Sequence, residues 1–170
     1  SHDHSDHFDS GTLSALRKTN GTTVLIAPRA VYNGLSTQLK AITTVLTNGA
    51  GTNVLNIQID AVPAYNSNHP KGTGNGYVLT LDGKRLYMTG DTGALTEMKS
   101  LTNIDVAFVC MNVPYTMTVS QASGIVRDFA PRIIYPYHYR NQDNSLSDLN
   151  LFRRQVGTDR GIEVRARKWY

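Results

Sequence analysis

The hydrophobic and polar positions of the chain change period several times, which predicts a series of short helices and strands. Near the start, Leu13 and Leu16 recur at helical spacing behind Asp9 or Ser10, either of which can cap a helix. The pair Asn20-Gly21 is a typical helix end, because both residue types tolerate the left-handed conformation. The pattern therefore predicts one helix between the polar N-terminal segment and residue 20.

The next part of the chain predicts mostly strands, with one ambiguous stretch. Residues 23–27 form an apolar run that Pro28 stops, which is typical of a short buried strand. Within residues 29–50 the apolar spacing suits a helix, whereas the β-branched run 42–45 suits a strand. We favour a short helix followed by a strand. Alternating apolar residues then predict a strand over 54–62.

The second half of the chain begins with a predicted hairpin and then alternates between strands and helices. Strands 76–81 and 85–88 pair across Asp82-Gly83, a dipeptide that tolerates the positive φ of a tight turn. The later elements, in order, are strand 105–111, helix 118–129, strand 132–136, helix 146–156 and strand 162–166. This alternation predicts a sheet with helices on its outer face.

Composition indicates one globular domain over residues 1–170, and its apolar runs are too short to span a bilayer. The single cysteine, Cys110, excludes an internal disulfide framework and suits a buried strand. The net charge of +4 is scattered, so it favours an anionic small-molecule substrate only weakly. Because no basic stripe with interleaved aromatic residues appears, the sequence disfavours nucleic acid as a partner.

The candidate chemistry is densest at the start, in His2-Asp3-His4-Ser5-Asp6-His7. In an extended segment, residues 2, 4 and 6 point one way, so His2, His4 and Asp6 can converge, and a turn can bring His7 round beside them. Zinc and similar dications accept neutral imidazole nitrogens and carboxylate oxygens. An N-terminal purification tag is the alternative explanation, but a tag would be a homopolymer.

The remaining histidines, His69 and His138, lie in predicted loops beside strands, as does Asp91 in Gly90-Asp91-Thr92-Gly93. A lone histidine is most often a core or surface residue without a special role. Together with the first loop, however, these three residues indicate one shared cleft, because a rigid sheet can present loop side chains to a common point.

At this point the residues resemble the metallo-β-lactamase-fold hydrolases over essentially the whole chain. His2 to His7 match the H-x-H-x-D-H signature of that family, and His69, Asp91 and His138 match its later ligands in order. Segments 87–93, 114–117 and 135–139 look closest to the branch that contains ascorbate-phosphate lactonase-like proteins and metal-dependent hydrolases. N-acyl phosphatidylethanolamine phospholipase D is a more distant member of that branch.

The resemblance implies an α+β fold, a sandwich of two sheets between helices, and two divalent metal ions, with zinc favoured over manganese or iron. It places His2, His4 and His69 on one ion, Asp6, His7 and His138 on the other, and Asp91 between them. Family members carry an N-terminal half-sheet before the signature that this sequence lacks. We therefore expect an N-terminally truncated domain with one sheet face uncovered.

These expectations lead to a hydrolase in which a hydroxide shared by two metals cleaves an ester, lactone or phosphodiester, so that no serine or cysteine nucleophile is required. Asp6 and His138 are the expected catalytic residues. The alternative is a metal-binding but inactive fragment or interaction module, with a homodimer covering the open sheet. A nucleic-acid-binding role ranks third.

Overall fold

The structure is a computed structural model that describes residues 1–19 and 22–169 of the 170. Its helices are α1 (Ser10–Thr19), α2 (Arg29–Gly34), α3 (Thr37–Lys40), α4 (Val119–Phe129) and α5 (Leu149–Val156). Its strands are β1 (Leu25–Ala27), β2 (Thr43–Val45), β3 (Gly51–Val54), β4 (Ile57–Ala64), β5 (Gly74–Leu81), β6 (Lys84–Met88), β7 (Val106–Cys110), β8 (Ile133–Tyr137) and β9 (Glu163–Val164).

The described strands form two sheets. β1 and β2 pair in parallel, with Leu25 opposite Thr43, whereas β3 to β9 form a seven-stranded sheet in chain order. β3 to β6 are antiparallel neighbours, with tight turns between β3 and β4 and between β5 and β6 and a longer loop between β4 and β5, whereas β6 to β9 run parallel. Parallel neighbours require crossovers: α4 and α5 lie in those on either side of β8, and a 3₁₀ helix (Thr96–Ser100) lies in the one between β6 and β7. The carboxyl ends of β6, β7 and β8 therefore lie along one edge of the sheet.

The two sheets pack between layers of helices. α4 and α5 cover one face of the large sheet with a core that includes Ile125, Phe129 and Phe152. The other face, at β4 and β5, packs through Ile59 and Ala61 on the small sheet, and α1 to α3 cover the far side of that sheet. This layering confirms the expected α+β sandwich and the predicted position of helices outside the sheets.

Side-chain caps mark the beginnings of α1 and α4, and Asp9 is one of the two residues predicted to cap α1. Asp9 Oδ1 accepts a hydrogen bond from Thr12 N at 2.6 Å ahead of α1. Thr118 and Gln121 form a reciprocal capping box at the start of α4, so two of the N–H groups left over at a helix N-terminus are paired. The predicted end of α1 at Asn20-Gly21 lies outside the described residues.

The strand predicted over residues 54–62 is wrong in one respect, because it contains a hairpin turn. β3 ends at Val54, and Leu55 and Asn56 both adopt positive φ before β4 begins. Leucine rarely adopts that conformation, so the sequence gives no turn signal there. By contrast, the predicted hairpin at Asp82-Gly83 is confirmed, since both residues have positive φ between β5 and β6.

Part of the large sheet carries apolar side chains that no described layer covers. On the face opposite α4, Met88 is 42% exposed, and Phe108 and Tyr135 are half-buried and stack with ring centroids 5.2 Å apart. Among the described residues, these three side chains form an apolar patch on that face. Over the same residues, none of the helices combines the length and the apolar content that crossing a membrane would need.

Candidate metal centre

The N-terminal loop is held against the large sheet and curls back on itself. Asn75 N, at the start of β5, donates to Ser1 O at 2.9 Å. His7 N and Phe8 N both donate to His4 O, at 2.9 and 2.8 Å. This turn brings His7 to the same side as His2, as the spacing predicts, and both rings lie within 4.3 Å centroid to centroid.

The other three candidates follow strands of the large sheet. His69 lies in the loop between β4 and β5, Asp91 follows β6 after Gly90, and His138 directly follows β8 with a φ of 46°. Since β6 and β8 are both parallel to β7, their carboxyl ends point to one edge, and Asp91 and His138 meet there. The structure thus brings together all of the predicted site residues.

Three histidines form the first ligand group. One ring nitrogen from each of His2, His4 and His69 lies within 4.8 Å of the others. His2 Nε2 and His4 Nδ1 are 2.9 Å apart, and the rings of His2 and His69 stack with centroids 4.6 Å apart. Imidazole nitrogens placed this close together can each donate a lone pair to a single cation.

The second group contains two carboxylates and two histidines, namely Asp6, His7, Asp91 and His138. His7 Nε2 lies 3.2 Å from Asp91 Oδ1, and His138 Nε2 lies 3.3 Å from Asp91 Oδ2 and 3.4 Å from Asp6 Oδ2. Asp91 Oδ2 is also 4.0 Å from His2 Nε2 of the first group. Asp91 therefore lies between the two groups.

Buried polar atoms without hydrogen-bond partners indicate that these residues fit a metal ion. Among the described residues, His69 Nδ1, Asp91 Oδ1 and His138 Nε2 are buried and make no hydrogen bond. An unpaired buried polar atom is costly, and native proteins rarely leave one without a reason. Divalent cations would bind these lone pairs, and the nitrogen and oxygen donors suit zinc, manganese or iron.

Burial and neighbouring charges keep His2 and His69 neutral and Asp91 ionised, which are the forms that bind a metal ion. Burial and the neighbouring His7 lower the pKa of His2 to about 3, and burial also lowers the pKa of His69, so both imidazoles are neutral at physiological pH. Burial alone would raise the pKa of Asp91, but His138 and His7 hold it well below its usual range. Asp91 is therefore ionised.

A serine that sequence reasoning did not single out orients two of the histidines. Ser1 Oγ lies 3.0 Å from His2 Nδ1 and 3.0 Å from His7 Nδ1. The Nε2 atoms of both rings therefore face the centre. His69 is oriented the other way round, because its Nε2 lies 2.9 Å from Asp91 O and leaves Nδ1 for a ligand. Such contacts fix the tautomer and direction of metal-binding rings.

Two cavities open onto the ligand groups and share Asp6 and His138. The larger, of about 690 Å³, is polar and is lined beyond the ligands by Ser5, Asn66, Asn68, Asn112, Tyr115, Arg140 and Asn141. The smaller, of about 540 Å³, is lined by the aromatic rings of Phe108, Tyr137 and Trp169. No sequence motif singled out the asparagines or Trp169.

Three residues with reactive or polar side chains outside the ligand groups have structural roles. Cys110 is buried in β7, and burial raises the pKa of its thiol to about 11, so it is not a nucleophile. Tyr139 is buried and donates to Arg167 O at 2.7 Å. Lys71 forms an exposed ion pair with Glu97 at 2.6 Å.

Comparisons with known proteins agree with this geometry. Residues 1–139 match the Beta-lactamase superfamily domain. A UPF0173 metal-dependent hydrolase of Pyrococcus abyssi is 30% identical over an alignment of 171 residues, gaps included, and the alignment covers 96% of this chain and 75% of that protein. A second one, from Pyrococcus furiosus, is 30% identical over 164 residues, covering 92% of this chain and 72% of that protein.

Solved structures extend the similarity to the fold. A crystal structure of a protein from Parabacteroides distasonis, assigned as a metal-dependent hydrolase, is 39% identical with a TM-score of 0.84, covering 98% of this chain and 73% of that one. The metallo hydrolase Igni18 of Ignicoccus hospitalis is 24% identical with a TM-score of 0.81, and the match again covers 98% of this chain and 73% of that one. The two have the same fold. The chain therefore belongs to the beta-lactamase superfamily and, within it, to the UPF0173 metal-dependent hydrolases.

Proposed function

We propose that this chain is a binuclear hydrolase that cleaves an ester, lactone or phosphodiester bond of a small anionic substrate. The observation that carries the proposal is the convergence of seven side chains into two adjacent ligand groups with Asp91 between them. A single ion would need only one such group. Two groups in contact are the arrangement that a pair of ions needs.

The proposed ligand assignment follows the two groups. His2, His4 and His69 bind one ion, and Asp6, His7 and His138 bind the other. Asp91 would help to hold both, because its carboxylate lies beside His138 and His7 and within 4.0 Å of His2 Nε2. We propose zinc as the metal, since imidazole-rich sites of this kind suit it, with manganese or iron as substitutes.

When bound, two dications would lower the pKa of a shared water towards neutrality and so supply hydroxide. Asp6 would orient that water, because its carboxylate is exposed and borders both cavities. Its Oδ2 faces His138 Nε2, so the other oxygen can accept and pass on a proton. His138 holds Asp6 and Asp91 at one point, which we propose as its catalytic contribution.

The segments around Asp91 and His138 favour one branch of the superfamily. Residues 87–93 and 135–139 are similar to those of ascorbate-phosphate lactonase-like proteins, with N-acyl phosphatidylethanolamine phospholipase D as a more distant relative. We therefore propose lactones and phosphodiesters as the first substrates to assay. The polar cavity beside the ligands is large enough for a small molecule of either kind.

Turnover of a lactone and phosphodiester panel by the zinc-loaded protein tests this function, with two matched variants. Asp6→Asn removes a carboxylate that belongs to a ligand group, whereas Asp3→Asn makes the same change at an exposed neighbour outside both groups. We expect kcat to fall at least ~100-fold in Asp6→Asn and to stay within about twofold in Asp3→Asn. Equal activity of the two variants would contradict the proposal.

The exposed apolar sheet face favours a second candidate function, that of a metal-binding interaction module without turnover. Met88, Phe108 and Tyr135 form a surface that a second copy of the chain could cover. This candidate predicts stoichiometric metal, a dimer in solution and no hydrolysis of any panel substrate. Measuring metal content, mass in solution and turnover on one preparation separates the two candidates.

A further inference from the structure

Apart from the residues of the two ligand groups, the lining of the larger cavity consists largely of side-chain amides. Asn66 and Asn68 come from the loop before β5, Asn112 from the end of β7, and Asn141 from the segment after His138. Arg140 and Tyr115 also line the cavity. We call these six residues the amide wall; none of them belongs to either ligand group.

The amide of Asn66 has a fixed orientation. Its Oδ1 accepts from the backbone N–H groups of Asn68, at 2.7 Å, and of His69, at 3.3 Å. A backbone N–H can only donate, so the atom that meets it must be the oxygen. Asn66 lines the cavity, and its NH₂ group is therefore the part that it can offer to a bound molecule.

Asn141, which lies in a different loop, is oriented in the same way. Its Oδ1 accepts from Val113 N at 2.9 Å and from Ser147 Oγ at 3.2 Å. One hydrogen of its NH₂ group is donated to Ser145 Oγ at 3.1 Å, which leaves the second for the cavity. Two separate loops thus present amide hydrogens, with their acceptor oxygens already occupied by the protein.

Charge adds to this donor-rich surface. Arg140 is a permanent cation in the lining, and its Nη1 donates to Asn144 O at 3.3 Å, which steadies the side chain. In the metal-loaded enzyme, two dications would outweigh the carboxylates of Asp6 and Asp91. A bound apolar group would leave the amide hydrogens unpaired, whereas an anion rich in acceptor oxygens would pair them.

We infer that the amide wall binds a carboxylate or phosphoryl group carried by the substrate, next to the bond that the metals cleave. The inference deepens the proposed function, and it rests on that function only in identifying the bound molecule as the substrate. The binding of the anionic group itself depends on the wall. It can therefore be measured without turnover.

Calorimetric titration of the zinc-loaded protein with succinate, inorganic phosphate and neutral succinamide tests the inference. Arg140→Met removes the charge of the wall. Asn66→Asp keeps the acceptor for the Asn68 and His69 N–H groups but replaces the donor by a negative charge. Arg153→Gln, at an exposed position on α5 outside the cavity, controls for the loss of one positive charge.

We expect at least one anion to bind the unmodified protein and to bind about tenfold or more weakly to Arg140→Met and to Asn66→Asp, with Arg153→Gln unchanged. Succinamide should bind more weakly than succinate, and the stronger of the two anions identifies the group as carboxylate or phosphoryl. Equal anion affinity in the unmodified protein and both wall variants, or no anion binding at all, would overturn the inference. Absence of hydrolysis would refute the proposed function but would leave these titrations unaffected.

Discussion

Asp91 lies between the two ligand groups, so we expect metal binding by both groups to depend on it. It is buried, it lies within 3.3 Å of both His7 and His138, and it is 4.0 Å from His2. We predict that Asp91→Asn abolishes tight binding of both ions, whereas Asp6→Asn, which affects one group only, retains the first ion. Elemental analysis after dialysis measures this. Asp128→Asn, an exposed carboxylate that pairs with Lys99, should retain both ions.

Gly90 determines how closely the N-terminal loop approaches Asp91. Its φ is 63°, and a Cβ there would lie 2.9 Å from Asn75 O and 2.9 Å from Ser1 Cβ. We predict that Gly90→Ala lowers the free energy of unfolding by more than the ~1 kcal/mol that positive φ alone costs an alanine. Gly83→Ala is the matched control, because Gly83 has a similar φ and an added Cβ meets nothing. Urea unfolding of both variants gives the comparison, and equal losses would show that the contact is unimportant.

For individual residues, the sequence predicts the proposed metal ligands but not the amide wall beside them. Closely spaced histidines and aspartates are rare, so their arrangement in the sequence already indicates metal binding. Asparagines such as Asn66 and Asn141 occur in many loops because they favour turns, so only the structure shows which ones line a cavity. The contact of Ser1 with two imidazoles likewise depends on how the loop folds.

Among the elements, α4 is the one whose start can be tested most cleanly. Thr118 accepts from Gln121 N at 3.2 Å, and Gln121 Oε1 accepts from Thr118 N at 2.9 Å. We predict that Thr118→Ala costs about 1 kcal/mol of unfolding free energy, while Thr118→Ser, which keeps the hydroxyl, costs little. Chemical denaturation monitored by circular dichroism measures both. An alanine variant as stable as the serine variant would mean that the cap contributes nothing.

The elements themselves were predictable wherever local chemistry and tertiary context agree. Asp82-Gly83 carries its own turn signal, and the helix at 118–129 combines a capping box with an apolar face that meets the core. Leu55-Asn56 lacks such a signal, because pairing of β3 with β4 forces leucine into the left-handed region. Tertiary pairing outweighed local preference there, so a single predicted strand became two.

Across the whole molecule, the proposed metals tie the first seven residues to three separate loops of the sheet edge. Ions that bind only the folded chain stabilise it by about 2.7 kcal/mol at a free concentration 100 times Kd. We predict that chelation lowers Tm by roughly 5–10 °C and that added zinc restores it. Differential scanning calorimetry measures the shift. Asp91→Asn should show no response to chelator, and a response equal to that of the unmodified protein would count against this account.

Anomalous diffraction at the zinc edge from crystals of the zinc-loaded protein would show directly whether two ions bind. We predict two peaks roughly 3.5–4 Å apart. One should lie among His2, His4 and His69, and the other among Asp6, His7 and His138, with Asp91 between them. A single peak, no peak, or peaks away from these side chains would contradict this prediction.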